Sequence, residues 1–457
     1  MLGLDLVGVV FNGQLLLGFT LGLILWQAAT AAHNLFLHPL RRFPGPMAQR
    51  ASSLPWTVLH LRKTQMFATQ KLHKRYGPVV CIAPGHLSFT DVRVYKDIYA
   101  PETPEAAAFY DPIDDIANAG REEHQRVRRA VSQGFSEAAL RQYGPVIDRY
   151  VDKLLRQLHE RSGAPLDCAA CYTWATFNIA AELVFGKPIG CLDACAYHPW
   201  VKFIMAGAKS NAVLSSLCYV GHRWVVQLLF RTFGRLTMTR HKAFTDSMKR
   251  SARDADLDCQ VQADREQNMS FDKLSANAFV FMLAGSGTSA AALSGITYLL
   301  LTNPEALARL REEVRSTFSS AAETKIGPVS KLPYLSAVLS EGLLVYPPQP
   351  TDLVRVVPAG GGVIAGHSVA GGAYVEVQPW SISHSREHWA DPDAFRHERF
   401  LAIDDEARRA GNRFEALQPF SFGPRSCIGR PSDWIRRQGG YPLWDRPPLK
   451  VRFTTRA

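Results

Sequence analysis

Cysteine is scarce in this chain, with eight in 457 residues. That density is too low for a disulfide scaffold and excludes the small stapled folds of secreted proteins. Stability must then come from burial, and a hydrophobic content of 47 % is ample for a large core. Internal repeats and low-complexity stretches are absent, which excludes solenoids and propellers. No dense basic run carries interleaved aromatics, so the net charge of +11 does not point to nucleic acid. It fits a basic surface without a special partner, a docking face for an acidic electron donor, or attraction to anionic lipid.

Charge itself is missing from Leu6 to Ala32. A helix of that length spans about 40 Å, enough to cross a bilayer with tilt. A cleaved secretory signal is the rival reading, with Ala29-Thr30-Ala31 as its cleavage site. Against it, Met1–Asp5 carries an acid and no base. Arg41 and Arg42 follow the apolar run and place its C-terminal side in the cytosol. Residues 1–36 are therefore expected to be a signal-anchor transmembrane segment. Residues 37–46 (LHPLRRFPGP), with three prolines, form a stiff hinge. Residues 47–457 form the body, one large domain.

What is present is concentrated in Pro419–Arg430, PFSFGPRSCIGR. Phe420, Gly423, Arg425, Cys427 and Gly429 stand in the frame F-x-x-G-x-R-x-C-x-G. Two glycines let the backbone turn tightly around one sulfur and aim N–H groups at it. Arg425 offers a fork of donors suited to a carboxylate. Phe420 can shield the sulfur from water. Such a loop suits a cysteine thiolate on a haem iron, where the ligand pushes electron density onto the metal and favours O–O cleavage. The competing reading is a Gly-rich loop with a structural cysteine.

This frame resembles the cysteine loop of the cytochrome P-450 family of haem-thiolate monooxygenases, and the resemblance runs along most of the chain in order. It implies a mainly α fold with small β-sheets, in a single large domain that binds haem b. It implies Cys427 as the axial iron ligand and, in the apolar segment Ser270–Leu301, Thr288 as the proton-relay hydroxyl. His124 and Arg128 lie four apart on one helix face where the family carries W-x-x-x-R. With Arg355 and Arg425 they would hold the haem propionates; a solvated basic face is the alternative. Glu341 and Arg399 match a buried charge cluster. The partners implied are an NADPH-cytochrome P-450 reductase, membrane lipid and a lipophilic substrate. The place implied is the endoplasmic reticulum membrane, single-pass, with the body facing the cytosol. Stretches such as EEHQRVRRAVSQGFSEAALRQYGPVIDRYVDKLL look similar to fungal members resembling isotrichodermin hydroxylases. That implies oxidation of a terpenoid or polyketide intermediate in secondary metabolism.

Three positions depart from the family pattern. In A-G-x-[D/E]-T-[T/S] the acid is replaced by Gly287, which cannot pass a proton. In E-x-x-R the arginine is replaced by Leu344, and removing one partner from a buried cluster costs about 3–5 kcal/mol. Beyond Arg430 a helix-length proximal piece is expected to be missing, since only Asp433–Gln438 has helical character before Gly439-Gly440. An exon-prediction error, a splice variant or a decaying gene would each explain it. The alternative function is accordingly a catalytically impaired relative that holds haem poorly.

The periodicities predict helices over Thr64–Tyr76, Glu122–Gln133, Leu140–Arg161, Tyr172–Phe185 and Pro333–Tyr346. Strands are expected over Val79–Ala83, Leu87–Thr90, Leu353–Val357 and Tyr374–Val377, with Ala100–Gly120 irregular. The final YPLWDRPPLKVRF looks like the family's terminal strand pair. Cys168, Cys171, Cys191, Cys195 and His198 hint at zinc, but without a second C-x-x-C they are expected to be buried thiols.

Overall fold

The computed structural model describes residues 2–100, 105–106, 115–219, 271–320, 323–351, 353–401, 411–429 and 447–453. Val79–Ala83 (β1) and His86–Phe89 (β2) form a hairpin around Pro84-Gly85, with Gly85 at φ 74°. Every residue of both strands is buried, so the sheet is covered on both faces. Glu105–Ala106 forms β3, Pro165–Asp167 β4 and Arg355–Val356 β5. Gly362–Ile364 (β6) and His367–Val369 (β7) make a separate hairpin, and Tyr374–Val377 is β8. The main sheet runs β1-β2-β8-β5-β3, with β2 and β8 parallel and the other pairs antiparallel. Arg355 sits opposite Val375 and Ala106 and is held by strands on both sides.

Helices make the rest of the body. Cys168–Phe185 and Phe271–Thr302 pack along each other. Phe177, Phe185, Trp200, Ile204 and Met282 fill the core between them and Pro199–Tyr219. Ala276–Thr302 is apolar enough to cross a bilayer, yet 44 % of its most apolar part is buried in the body, as a core helix is. Its crossing with Pro333–Val345 is close because two residues lack side chains. A Cβ on Gly295 would enter the Tyr346 ring, and one on Gly342 would strike Ile296.

Capping residues explain where observed helices exceed their expected limits. Glu137–Glu160 starts before Leu140 because the Ser136 hydroxyl accepts the Ala139 N–H at 3.2 Å. Cys168–Phe185 starts a turn before Tyr172 because Asp167 accepts the N–H groups of Ala169 and Ala170. Cys168 and Cys171 therefore lie in the first turn of this helix instead of flanking it. Cys168, Cys171 and Cys191 are buried free thiols, and burial pushes Cys168 up to about 11. Among the described residues no group of three or more His, Cys, Asp or Glu could hold a metal ion.

Leu2–Phe36 is one 35-residue helix. Leu17, Leu21, Ile24, Leu25 and Trp26 are exposed on it. The proline-rich segment after it is docked, not free. Pro39–Arg42 is a 3-10 turn, Leu40 and Phe43 are buried, and the Cys81 N–H donates to Pro44 O at 2.8 Å. At the far end, Lys450–Arg452 (β9) pairs with Pro165–Asp167 (β4), while residues 441–446 of the expected terminal strand pair lie outside the described residues. Ser270, and the stretch after Gly429 where a proximal helix was expected to be missing, lie outside the described residues.

Candidate active site

The cysteine loop is closed by its own backbone. The Cys427 N–H donates to Phe420 O at 3.0 Å, and the Ser426 N–H donates to Gly423 O at 3.0 Å. Gly423 has φ 74°, and a Cβ there would collide with the Tyr99 carbonyl oxygen. Only glycine lets the loop lie against Tyr99 in this conformation. At Gly429 a Cβ would come within 3.8 Å of Cys427 Sγ, so glycine leaves that flank of the sulfur clear. Cys427 is a half-buried free thiol.

The cations selected from sequence come together around this loop. Arg128 Nη1 donates to Ser426 O at 2.6 Å, next to Cys427. Arg425 Nη2 donates to Ala119 O at 2.6 Å, one turn before His124. Arg355, only 6 % exposed, donates to the carbonyls of Leu353 and Val354. Its guanidinium lies 4.9 Å from the centre of the Tyr99 ring. His124 is buried, and its pKa falls to about 4 through desolvation first, then through the charges of Arg425, Arg128 and Arg355. Its imidazole is therefore neutral at pH 7. Burial also lowers Arg128, a shift partly opposed by Cys427.

The small-residue stretch 284–289 lies on the helix Phe271–Thr302. Thr288 is 9 % exposed, and its hydroxyl donates to Ala284 O at 2.8 Å. Gly287 beside it is buried. Ile116, Val127 and Val131 join Val280 and Phe281 of this helix to Ile428 of the cysteine loop.

The Glu–Arg cluster is a single pair. Arg399 Nε lies 3.0 Å from Glu341 Oε2, with both side chains almost fully buried. Glu341 also accepts the Arg396 N–H at 2.7 Å. Arg399 Nη1 donates to Ala390 O at 2.6 Å and to Asn412 Oδ1 at 2.9 Å. Leu344 is fully buried where the family places a second cation. Burial raises the Glu341 carboxyl to about 7, partly opposed by the Arg399 charge. His397 is buried edge-on to the Tyr334 ring at 4.7 Å.

Tyr99 was not foreseen from sequence. Its carbonyl abuts Gly423, its ring underlies Arg355 and its hydroxyl donates to Leu353 O at 3.0 Å. A lone tyrosine closing the short helix Val94–Tyr99 carries no pattern that would have marked it.

The donor set suits a metal macrocycle with carboxylate arms: one accessible thiol with a cleared flank, a neutral imidazole and three guanidiniums. A glycine-framed cysteine loop beside these cations, packed through Ile428 onto the helix Phe271–Thr302, is the arrangement of a haem-thiolate protein. The chain belongs to the cytochrome P450 family, whose model matches residues 46–431. It is 36 % identical to the cytochrome P450 monooxygenase tpeC of Talaromyces stipitatus, over 93 % of this chain and 92 % of that one. It is 34 % identical to averantin hydroxylase of Dothistroma septosporum, over 97 % and 93 %. It is 33 % identical to trichothecene C-15 hydroxylase of Fusarium sporotrichioides, over 94 % and 96 %. The protein is thus a haem-thiolate monooxygenase with haem b as its cofactor, of the kind fungi use in secondary metabolism.

Proposed function

We propose that this chain is a membrane-anchored monooxygenase that hydroxylates a lipophilic terpenoid or polyketide intermediate of fungal secondary metabolism. Electrons would come from an NADPH-cytochrome P-450 reductase. The observation that carries the reading is the convergence of His124, Arg128, Arg355 and Arg425 beside Cys427, expressed in the depressed pKa of His124. The activities for which the relatives are named, averantin hydroxylase and trichothecene C-15 hydroxylase, support the substrate class.

Haem b would supply oxygen activation, for insertion of one oxygen atom into a substrate C–H bond and release of the other as water with two electrons from the reductase and two protons. Cys427 Sγ would hold its iron, with Phe420 limiting water at the sulfur. Arg128, Arg355, Arg425 and neutral His124 would hold its two carboxylates; none of the four loses its donor at pH 7. The Thr288 hydroxyl donates to Ala284 O, and a hydroxyl, being both donor and acceptor, suits a proton relay through water. With Gly287 in the acid's place, that hydroxyl and water carry the proton without a neighbouring carboxylate. The exposed apolar side chains of Leu2–Phe36, with Arg41 and Arg42 beyond them, support a single anchor in the endoplasmic reticulum with the body on the cytosolic side. The alternative of an impaired relative gains nothing from the comparisons, whose named members are enzymes.

The test is the ferrous–CO difference spectrum of the full chain beside Cys427→Ala and Cys168→Ala. A strongly red-shifted Soret band in the wild type and in Cys168→Ala, lost in Cys427→Ala, is expected. Haem content that follows Cys168 and ignores Cys427 would sink the assignment.

A further inference from the structure

Asn277 is the buried amide of the largely apolar helix Phe271–Thr302, and it is 2 % exposed. Its amide is engaged at both ends, with two elements. Oδ1 accepts the Ile116 N–H at 2.9 Å, and Nδ2 donates to Lys273 O one turn back on its own helix. Ile116 opens a short segment that ends at Gly120, just before the helix Arg121–Ser132. That segment is stiffened from within, because Asp115 Oδ1 accepts the N–H groups of Ala117 and Asn118. Its other end is gripped from the opposite side, since Ala119 O accepts Arg425 Nη2 of the cysteine loop at 2.6 Å.

The segment is therefore a strap with one end on Phe271–Thr302, the distal helix, and the other on the cysteine loop. Eleven residues separate Asn277 from Thr288, which at 100° per residue returns to within about 20° of the same helix face. The face that carries Thr288 is thus the face pinned by Asn277. A second tie runs parallel to it, with Lys273 Nζ 2.6 Å from Glu123 Oε1. That pair is part-exposed and screened, whereas the Asn277–Ile116 bond is buried and directional.

We propose that Asn277 is a positioning residue, fixing through the Ile116–Ala119 strap the register of the distal helix against the cysteine loop. The distance from Thr288 to Cys427, and so the fit of haem b between them, would depend on this amide. The inference rests on the haem-thiolate reading of the site, and its test separates the two.

Asn277→Leu removes the acceptor at similar volume. Asn277→Asp keeps an acceptor for the Ile116 N–H, with Lys273 a turn away to meet its charge. Two readouts are taken on the full chain: amide hydrogen exchange at Ile116, and the share of the ferrous–CO complex in the red-shifted thiolate form. Exchange at Ile116 is expected to quicken about tenfold in Asn277→Leu, with loss of about half of the red-shifted form, and both should return towards wild type in Asn277→Asp. Unchanged Ile116 exchange in Asn277→Leu overturns the strap. Faster exchange with an unchanged spectrum overturns the positioning role. A wild type without the red-shifted band refutes the haem-thiolate reading instead, and the exchange comparison still decides the strap. If Asn277→Leu does not accumulate, Asn277→Ser, which is too short to reach Ile116, is read by the same two measurements.

Discussion

Glu341 makes the most counter-intuitive prediction, because removing its charge should stabilise the protein. Its carboxyl is fully buried, accepts the Arg396 N–H and has Arg399 as the cation that meets it. Burial wins over that attraction and lifts the pKa from 4.5 to about 7. An acid with a raised folded pKa holds its proton more tightly when folded. Its contribution is fully present below about pH 4.5 and is lost progressively as pH rises through about 7. The displacement corresponds to about 3 kcal/mol, a large part of a stability of about 5–15 kcal/mol. Glu341→Gln keeps an oxygen for the Arg396 N–H and cannot ionise. Arg399 retains Ala390 O, Asn412 Oδ1 and Arg396 O as acceptors. Urea unfolding of wild type and Glu341→Gln should therefore give similar stabilities near pH 4.5. A gap of about 3 kcal/mol in favour of the variant should open by pH 8. A gap that stays constant from pH 4.5 to 8 would refute the reasoning.

Gly423→Ala forces a side chain into a left-handed conformation, at about 1–2 kcal/mol, and drives it into the Tyr99 carbonyl. The ratio of haem to protein should fall sharply, and a stoichiometric ratio would contradict this account of the loop. Gly295→Ala gains about 1 kcal/mol in helix propensity but overpacks against Tyr346, at about 1–3 kcal/mol. Its Tm should drop and should recover when Tyr346→Leu is added; a raised Tm in the single variant counts against the crossing. Deleting residues 2–36 should move the protein from the membrane pellet to the supernatant, and unchanged partition would count against the anchor.

Much of the site was legible because its residues serve short-range needs. The spacing of Gly423, Cys427 and Gly429 is set by the turn around one sulfur, and the four-residue spacing of His124 and Arg128 by one helix face. The strands Val79–Ala83 and Tyr374–Val377 stood out as short apolar runs bounded by turns, and their limits agree with the structure. What sequence could not supply were contacts between distant segments. Arg128 and Arg425 were selected as carboxylate donors, yet each also holds a backbone carbonyl of another element. Tyr99 owes its place to Gly423 and Arg355, hundreds of residues away. Asn277 did leave a trace, since a buried amide in an apolar helix must find partners, but its partner Ile116 sits in a stretch without periodicity. The early starts of two helices at Ser136 and Asp167 were written in their capping side chains and were outweighed by the apolar pattern downstream.

The parallel pairing of β2 with β8 sets His86 opposite Tyr374 and Phe89 opposite Val377. During synthesis the β1–β2 hairpin leaves the ribosome early, yet the strand that completes its open side arrives only after most of the chain has been made. Until then β2 presents unpaired backbone groups on an apolar strand, the kind of edge that recruits other chains. The nascent protein thus has a long interval in which its sheet is half built. The anchor proposed for Leu2–Phe36, and a proline segment seated on β1, would keep that edge local while the remainder is translated.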